Sequence, residues 1–199
     1  FALKAGYTHI DTAQIYGNEV SVGKAIADSD VAREDLFLTT KLWNDKHDYD
    51  LAKASIDESL ERLGVDYLDL FLIHWPNPKA LRENDAWKAG NAGAWKAMEE
   101  AYKEGKVRAI GVSNFMQHHL EALFETAEIV PHVNQILLAP GCTQEDLVAY
   151  CRERDILLEA YSPLGTGSIF GNEDVEAVAE RNGKSVAQVA LRWSLQKGF

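Results

Sequence analysis

The sequence predicts an α/β protein built on a parallel sheet, and three observations carry that prediction. Strand and helix signals alternate along all 199 residues, each strand signal followed by a helix signal. The run Tyr67–Ile73 is apolar on both parities apart from Asp69, the pattern of a strand covered on both faces. The units recur at roughly 30 residues, the pitch at which about 250 residues make eight βα units. A sheet of this kind is either open or closed into a barrel. There is no linker, low-complexity segment or finer repeat, so residues 1–199 read as a single domain.

The first strand signal is Tyr7–Asp11, followed by a turn and a helix entered near Asn18, a residue able to cap it, with Glu19 suited to its positive end. The run Leu36–Lys41 is rich in β-formers and ends in a charge. Leu51–Leu63 is helical, with Ile56, Leu60 and Leu63 on one face and Gly64 as its stop. After Tyr67–Ile73 come His74, Trp75 and Pro76, and the proline forbids further ladder pairing. Residues Asn77–Asn91 read as a long polar loop. Trp95, Met98 and Tyr102 mark the next helix, closed by Gly105; Val107–Val112 is a strand ending in Ser113-Asn114, and a helix runs on to about Thr126. His118 and His119 on that helix point to different faces, so they do not share a metal. His132–Ile136 is a short strand bearing Gln135, Thr143 is the expected cap of the next helix, and Ile156–Tyr161 is a strand ending in Tyr161-Ser162-Pro163. Glu173–Arg181 is helical; Ser185 and Gln188 have capping-box spacing and open a last helix with Val189 and Trp193 facing inward.

The net charge of −11 argues against nucleic acid or an anionic membrane as partner. The two cysteines, Cys142 and Cys151, fit free thiols in a reducing, cytoplasmic setting. No signal peptide or membrane-spanning run is visible. The opening Phe1–Ala5 reads as the last turn of a helix ended by Gly6, and Gly198-Phe199 as the approach to a strand, so both ends read as cut. Gly17 to Gly23-Lys24 has one residue too many for a phosphate loop, and Gly165–Gly171 follows the last strand, where a dinucleotide fingerprint would follow the first. The six histidines show no metal-binding spacing, so no metal site is expected.

The functional signal lies at the strand ends. In order these carry Asp11, Lys41, His74, Ser113-Asn114, Gln135 and Tyr161-Ser162. In a barrel all would stand on the C-terminal face, where such enzymes place their chemistry. Tyr16 follows Asp11 in the first βα loop. A free phenol has a pKa near 10 and is a sluggish acid at neutral pH, but a nearby ammonium favours its phenolate. Lys41 can play that part, with Asp11 holding it charged and His74 orienting a carbonyl oxygen. That set suits protonation of an oxygen gaining negative charge, as when hydride reduces a carbonyl. No side chain supplies hydride, so a cofactor must. Ser113, Asn114 and Gln135 offer groups matching a nicotinamide carboxamide, and Tyr161 a face for its ring.

These residues resemble the aldo-keto reductases, of the bacterial type similar to the 2,5-diketo-D-gluconate reductases. Gly6-Tyr7, His9–Ala13, Glu19 and Gly23 resemble one family signature, and Ile110–Phe115 a second. Lys41-Leu42-Trp43, His74-Trp75-Pro76, Asn134-Gln135 and Tyr161–Gly165 also match. The resemblance implies a (β/α)8 barrel of which strands two to seven are present, with the strands at Tyr7–Asp11 and Ile156–Tyr161 left as edges. It implies a catalytic set of Asp11, Tyr16, Lys41 and His74 with Tyr16 as general acid. Nicotinamide contacts fall by it on Ser113, Asn114, Gln135 and Tyr161, pyrophosphate contacts on Ser162, Leu164 and Gly165, and substrate contacts on Trp43 and Trp75. NADPH is the implied cofactor, with NADH left open because the segment that would select between them is absent; the implied partner is a small carbonyl compound, and the implied state a monomer. Thr8 departs from the family's usual Arg, and Leu137–Pro140 from a more polar run at the substrate wall. Two other readings stand beside this one: a nicotinamide-binding sensor or regulatory subunit of the same fold, and a barrel lyase or isomerase using Lys41 as an amine nucleophile, a role that Asp11 disfavours by keeping the amine protonated.

Overall fold

The computed structural model describes all residues, Phe1–Phe199. They form two compact units, Phe1–His132 and Val133–Phe199.

The first unit alternates strands β1 (His9–Asp11), β2 (Phe37–Leu42), β3 (Leu70–Ile73) and β4 (Ile110–Ser113) with helices α1 (Glu19–Ala27), α2 (Tyr49–Leu63), α3 (Ala86–Lys103) and α4 (Gln117–Phe124). The strands pair in parallel in chain order, with Asp11 opposite Thr39, Lys41 opposite Leu72, and Ile73 opposite Val112. All four residues of β3 are buried, as its two-sided apolar pattern requires. Helix α2 opens on Asp48, whose carboxylate accepts from the N–H groups of Asp50 and Leu51. It buries Ala52, Ser55, Ile56, Ser59 and Leu63 at helical spacing and stops at Gly64, with φ of 65°. Gly23 of α1 lies against the end of α2 so closely that a Cβ there would sit 2.1 Å from the Leu63 carbonyl oxygen.

Two expectations are corrected in this unit. Residues 77–91 are not one long loop. The connection ends at Asp85, and Trp87 and Asn91 are buried on α3. Gly90 and Gly93 make this stretch read as loop, yet they serve packing: a Cβ on Gly90 would lie 2.7 Å from Leu81 Cδ1, and one on Gly93 3.1 Å from the Tyr49 nitrogen. Asn18 stands at the start of α1 but makes no side-chain cap; its Oδ1 accepts from the Thr12 hydroxyl at 2.6 Å. Glu19 is buried, bonded to Thr40 and Arg62 at 2.7 and 2.6 Å.

Asp69, the polar exception in the β3 run, is a buried anchor. It accepts from the Leu38 N–H at 2.9 Å and pairs with Arg33 at 2.8 Å and Arg108 at 3.0 Å. Arg33 also donates to the Leu36 and Tyr67 carbonyls. Replacing Asp69 with Ala would leave the Leu38 N–H without its acceptor, and the mostly buried Arg33 without this carboxylate but still bonded to the Leu36 and Tyr67 carbonyls. The expected loss is about 3 kcal/mol, the low end for breaking a buried pair, because Arg108 stays largely in water. Denaturant unfolding measures it; a midpoint equal to the parent's would show the anchor to be dispensable.

The second unit holds β5 (Val133–Leu137) and β6 (Leu157–Tyr161), paired in parallel with Gln135 opposite Glu159. Helices α5 (Glu145–Arg152), α6 (Glu173–Asn182) and α7 (Val186–Lys197) complete it. Leu147, Tyr150 and Cys151 are buried on α5, but Thr143 does not cap that helix. Reciprocal backbone bonds between Ala139 and Cys142 first turn the chain, and Gln144, with φ of 44°, occupies the cap position and donates to the Leu137 carbonyl at 2.6 Å. Helix α6 is capped by Asn172, and α7 by the predicted Ser185–Gln188 box. The most buried residues of α7 are Ala190 and Ser194; Val189 is half-buried and packs inward as expected, and Trp193 is half-buried. Ala190 packs with Ile169 and Val175. No helix is long and apolar enough to cross a membrane.

Candidate active site

In the first unit, the ends of β1, β2 and β3 bring together four of the expected residues. Lys41 is the penultimate residue of β2 and is 1% exposed. A buried ammonium is costly unless its hydrogens are satisfied. Lys41 Nζ donates to the Asp11 carboxylate at the end of β1 and to the Thr12 carbonyl at 3.0 Å. Tyr16 closes the short turn Gln14–Tyr16 that follows β1, with Gly17 next in the left-handed region at φ of 64°. Its ring is half-exposed, and Lys41 Nζ lies 5.5 Å from the ring centre.

His74 follows β3 directly, its N–H donating to the Leu42 carbonyl at 3.2 Å. Its ring stands edge-on to Tyr16 at 5.9 Å between centres and edge-on to Trp43 at 5.3 Å, and lies 6.5 Å from Trp75. Trp43 is half-buried and Trp75 exposed. Burial pushes the His74 imidazole down to about 4, the Lys41 charge pushes the same way, and Asp11 opposes them. At neutral pH His74 is therefore an uncharged ring that can donate one hydrogen bond but holds no spare proton.

Ser113 ends β4 and is buried. Asn114 follows at φ of 63°, and its Nδ2 donates to the His74 carbonyl at 3.0 Å and to Ser113 Oγ at 3.1 Å. In the second unit, Gln135 is buried on β5, and its Nε2 donates to Glu159 of β6 at 2.9 Å. Tyr161 ends β6, half-buried, and burial raises its phenol. The turn beyond holds Ser162 at φ of 49°, Leu164, and Gly165 at φ of 55°, whose N–H donates to the Ser162 carbonyl at 2.8 Å. In the first unit Ser113 and Asn114 offer a hydroxyl and a side-chain amide; in the second, Gln135 offers an amide, Tyr161 an aromatic face and Ser162–Gly165 a tight backbone turn. Sequence reasoning missed Glu159 and Gln14. Period-two alternation along β6 places Glu159 on the face of Tyr161, and that signal was available.

His74 shares its low pKa with His47 and His119, each brought to about 4 chiefly by burial. Unfolding returns each ring to its ordinary value near 6.5. Their neutral, packed forms therefore contribute stability that is complete above pH 6.5 and is lost as pH falls toward 4. Melting temperature is expected to fall across that window, with up to three protons taken up on unfolding, and His47→Gln should flatten the slope above pH 5, where carboxylates remain ionised. A melting temperature independent of pH from 7 to 5 would contradict this.

The family model described as "Aldo/keto reductase family" matches residues 1–198. The chain belongs to the aldo/keto reductase family. It is 51% identical over 197 residues to the glyoxal reductase of Bacillus subtilis, covering 99% of this chain and 68% of that relative. It is similar to the crystal structure of an aldo/keto reductase from Brucella melitensis, with TM-score 0.90, 46% identity, and coverage of 99% of this chain and 73% of that one. A Gox0644 variant solved in complex with NADPH matches with TM-score 0.89 and 40% identity over 100% of this chain and 69% of its own. The fold class is that of these aldo/keto reductases, a (β/α)8 barrel represented here by six strands and their helices. As a member of the family the chain is an NAD(P)H-dependent oxidoreductase.

Proposed function

We propose that Tyr16 is the general acid of a carbonyl reduction, with Lys41, Asp11 and His74 as its supporting groups. The reaction is that of an aldo/keto reductase: an aldehyde or ketone becomes an alcohol, and NADPH, when bound, supplies the hydride. The observation that carries the assignment is the buried Lys41 ammonium, held by Asp11 and Thr12 beside the half-exposed Tyr16 ring. As the carbonyl oxygen gains negative charge, Tyr16 hands it the phenolic proton. The Lys41 charge favours the phenolate that remains. Asp11 keeps Lys41 protonated and oriented, which also removes it as an amine nucleophile. His74, neutral at pH 7, donates a hydrogen bond to the carbonyl oxygen and fixes its direction. Trp43 and Trp75 form apolar walls for the substrate.

Ser113, Asn114 and Gln135 would hold the carboxamide, Tyr161 the ring, and Ser162, Leu164 and Gly165 the pyrophosphate. The Asn114 bond to the His74 carbonyl ties a carboxamide contact to the segment bearing a catalytic ring. Residues 1–199 read as part of one barrel domain acting as a monomer in the cytoplasm, and the net charge of −11 supports a partner list without nucleic acid. The sensor reading is not favoured, since the relatives of this family that the chain matches include reductases such as the glyoxal reductase. NADPH absorbance followed with a panel of aldehydes, glyoxal among them, tests the proposal. Saturable oxidation of NADPH is expected, and NADPH binding without turnover on any aldehyde would return the sensor reading.

A further inference from the structure

Gln14 is the second residue before Tyr16 and shares its turn. Its side-chain amide is used at both ends. Nε2 donates to the Ser55 hydroxyl, to the Ser55 carbonyl at 3.1 Å, and to Ser59 Oγ at 2.9 Å. Oε1 accepts from the Trp43 N–H at 3.0 Å. A flipped amide would set N–H against N–H at Trp43, so the surroundings select one orientation. Ser55 and Ser59 are fully buried on α2. One side chain thus ties the Tyr16 turn to a rigid helix and to the backbone of Trp43, both distant in sequence.

We propose that Gln14 is a positioning residue that sets the height of the Tyr16 phenol at the reacting carbonyl. The inference rests on the assignment of Tyr16 as general acid. Tyr16 is half-exposed. Its backbone bonds, from the Tyr16 N–H to the Ala13 carbonyl and from the Gly17 N–H to the Gln14 carbonyl, lie within the turn, and its ring meets His74 and Lys41. The Gln14 amide adds a tie from that turn to α2 and to the Trp43 backbone. A cleft of about 360 Å³, lined by Gln14, Trp43, Arg62 and Val20 among others, opens beside it. In Gln14→Met the thioether fills similar space and Ser59 keeps its bond from Arg62 at 3.2 Å, so the packing around the turn is largely retained when the amide is removed.

The test is a double-mutant cycle of Gln14→Met with Tyr16→Phe, with kcat and KM on one aldehyde, NADPH affinity by fluorescence, and melting temperature for each variant. Gln14→Met alone is expected to lower kcat about tenfold, because displacement of a proton donor by a fraction of an ångström is felt in the chemical step. NADPH affinity should stay near the parent value, and the melting temperature should fall equally in the Tyr16 and Tyr16→Phe backgrounds, because the Trp43 N–H loses its acceptor in both. In the Tyr16→Phe background the same change should cost almost nothing further, since the two residues act as a unit. Ser59→Ala, which removes one acceptor from the far side, should give a smaller loss of the same kind. A kcat for Gln14→Met within about twofold of the parent, where misplacement predicts more, overturns the inference, as does an equal loss in both backgrounds. Full turnover by Tyr16→Phe alone would instead bring down the assignment on which the inference rests.

Discussion

Tyr16→Phe should lower turnover by about 10²- to 10⁴-fold, the range for loss of a general acid. The substitution removes one oxygen and keeps the ring, so the edge-on contact with His74 and the approach of Lys41 to the ring are retained. What is lost is the proton for the nascent alkoxide. His74 cannot replace it, because an imidazole brought to about 4 is deprotonated at pH 7. Water can, but without orientation, which is why residual activity is expected. NADPH affinity should change little, since the groups proposed for the cofactor do not include Tyr16. Steady-state kinetics with an unactivated aldehyde and fluorescence titration with NADPH check both halves. Turnover near that of the parent would refute the assignment.

Lys41→Met should be nearly as damaging, lowering turnover by about 10²- to 10³-fold, as for removal of one preorganised electrostatic stabiliser. Methionine fills similar space, so the buried position beside β3 remains packed. The charge disappears, and with it the hydrogen bonds to Asp11 and Thr12. Without a cation beside it the Tyr16 phenol should titrate at higher pH, so the alkaline limb of the pH–rate profile should move upward. The Asp11 carboxylate, about one-third exposed, can rehydrate, so the variant should fold. A profile whose limb stays in place would break the proposed coupling between the two side chains, even if turnover falls.

Much of this was legible in order along the chain. The βα alternation, the two-sided apolar run of β3, the stop at Gly64 and the capping box at Ser185 are local patterns, and each emerged where neighbouring residues placed it. The polar strand ends were legible for the same reason, because a strand that ends in a turn shows its last residue. The failures were also local. Gly90, Asn91 and Gly93 look like loop because their propensities are poor, but they lie on a helix whose glycines allow it to approach Leu81, His47 and Tyr49. Thr143 looks like a cap, yet the Ala139–Cys142 turn moves the helix start beyond it.

Periodicity along the chain was enough for a parallel α/β sheet, and functional groups that need only their own neighbours were enough for the residue types at each strand end and the chemistry those types can perform; closure into a barrel was implied only by the family resemblance. The pairing of Lys41 with Asp11 was expected from their strand ends; only the folded chain shows that Lys41 is buried and also bonded to the Thr12 carbonyl, that His74 is neutral, that Asp69 gathers Arg33 and Arg108, and that Gln14 fastens the Tyr16 turn to α2. These depend on which distant side chains share a dry volume. Desolvation and hydrogen-bond pairing act through space over a few ångströms, and no pattern along the chain records which segments packing will bring that close.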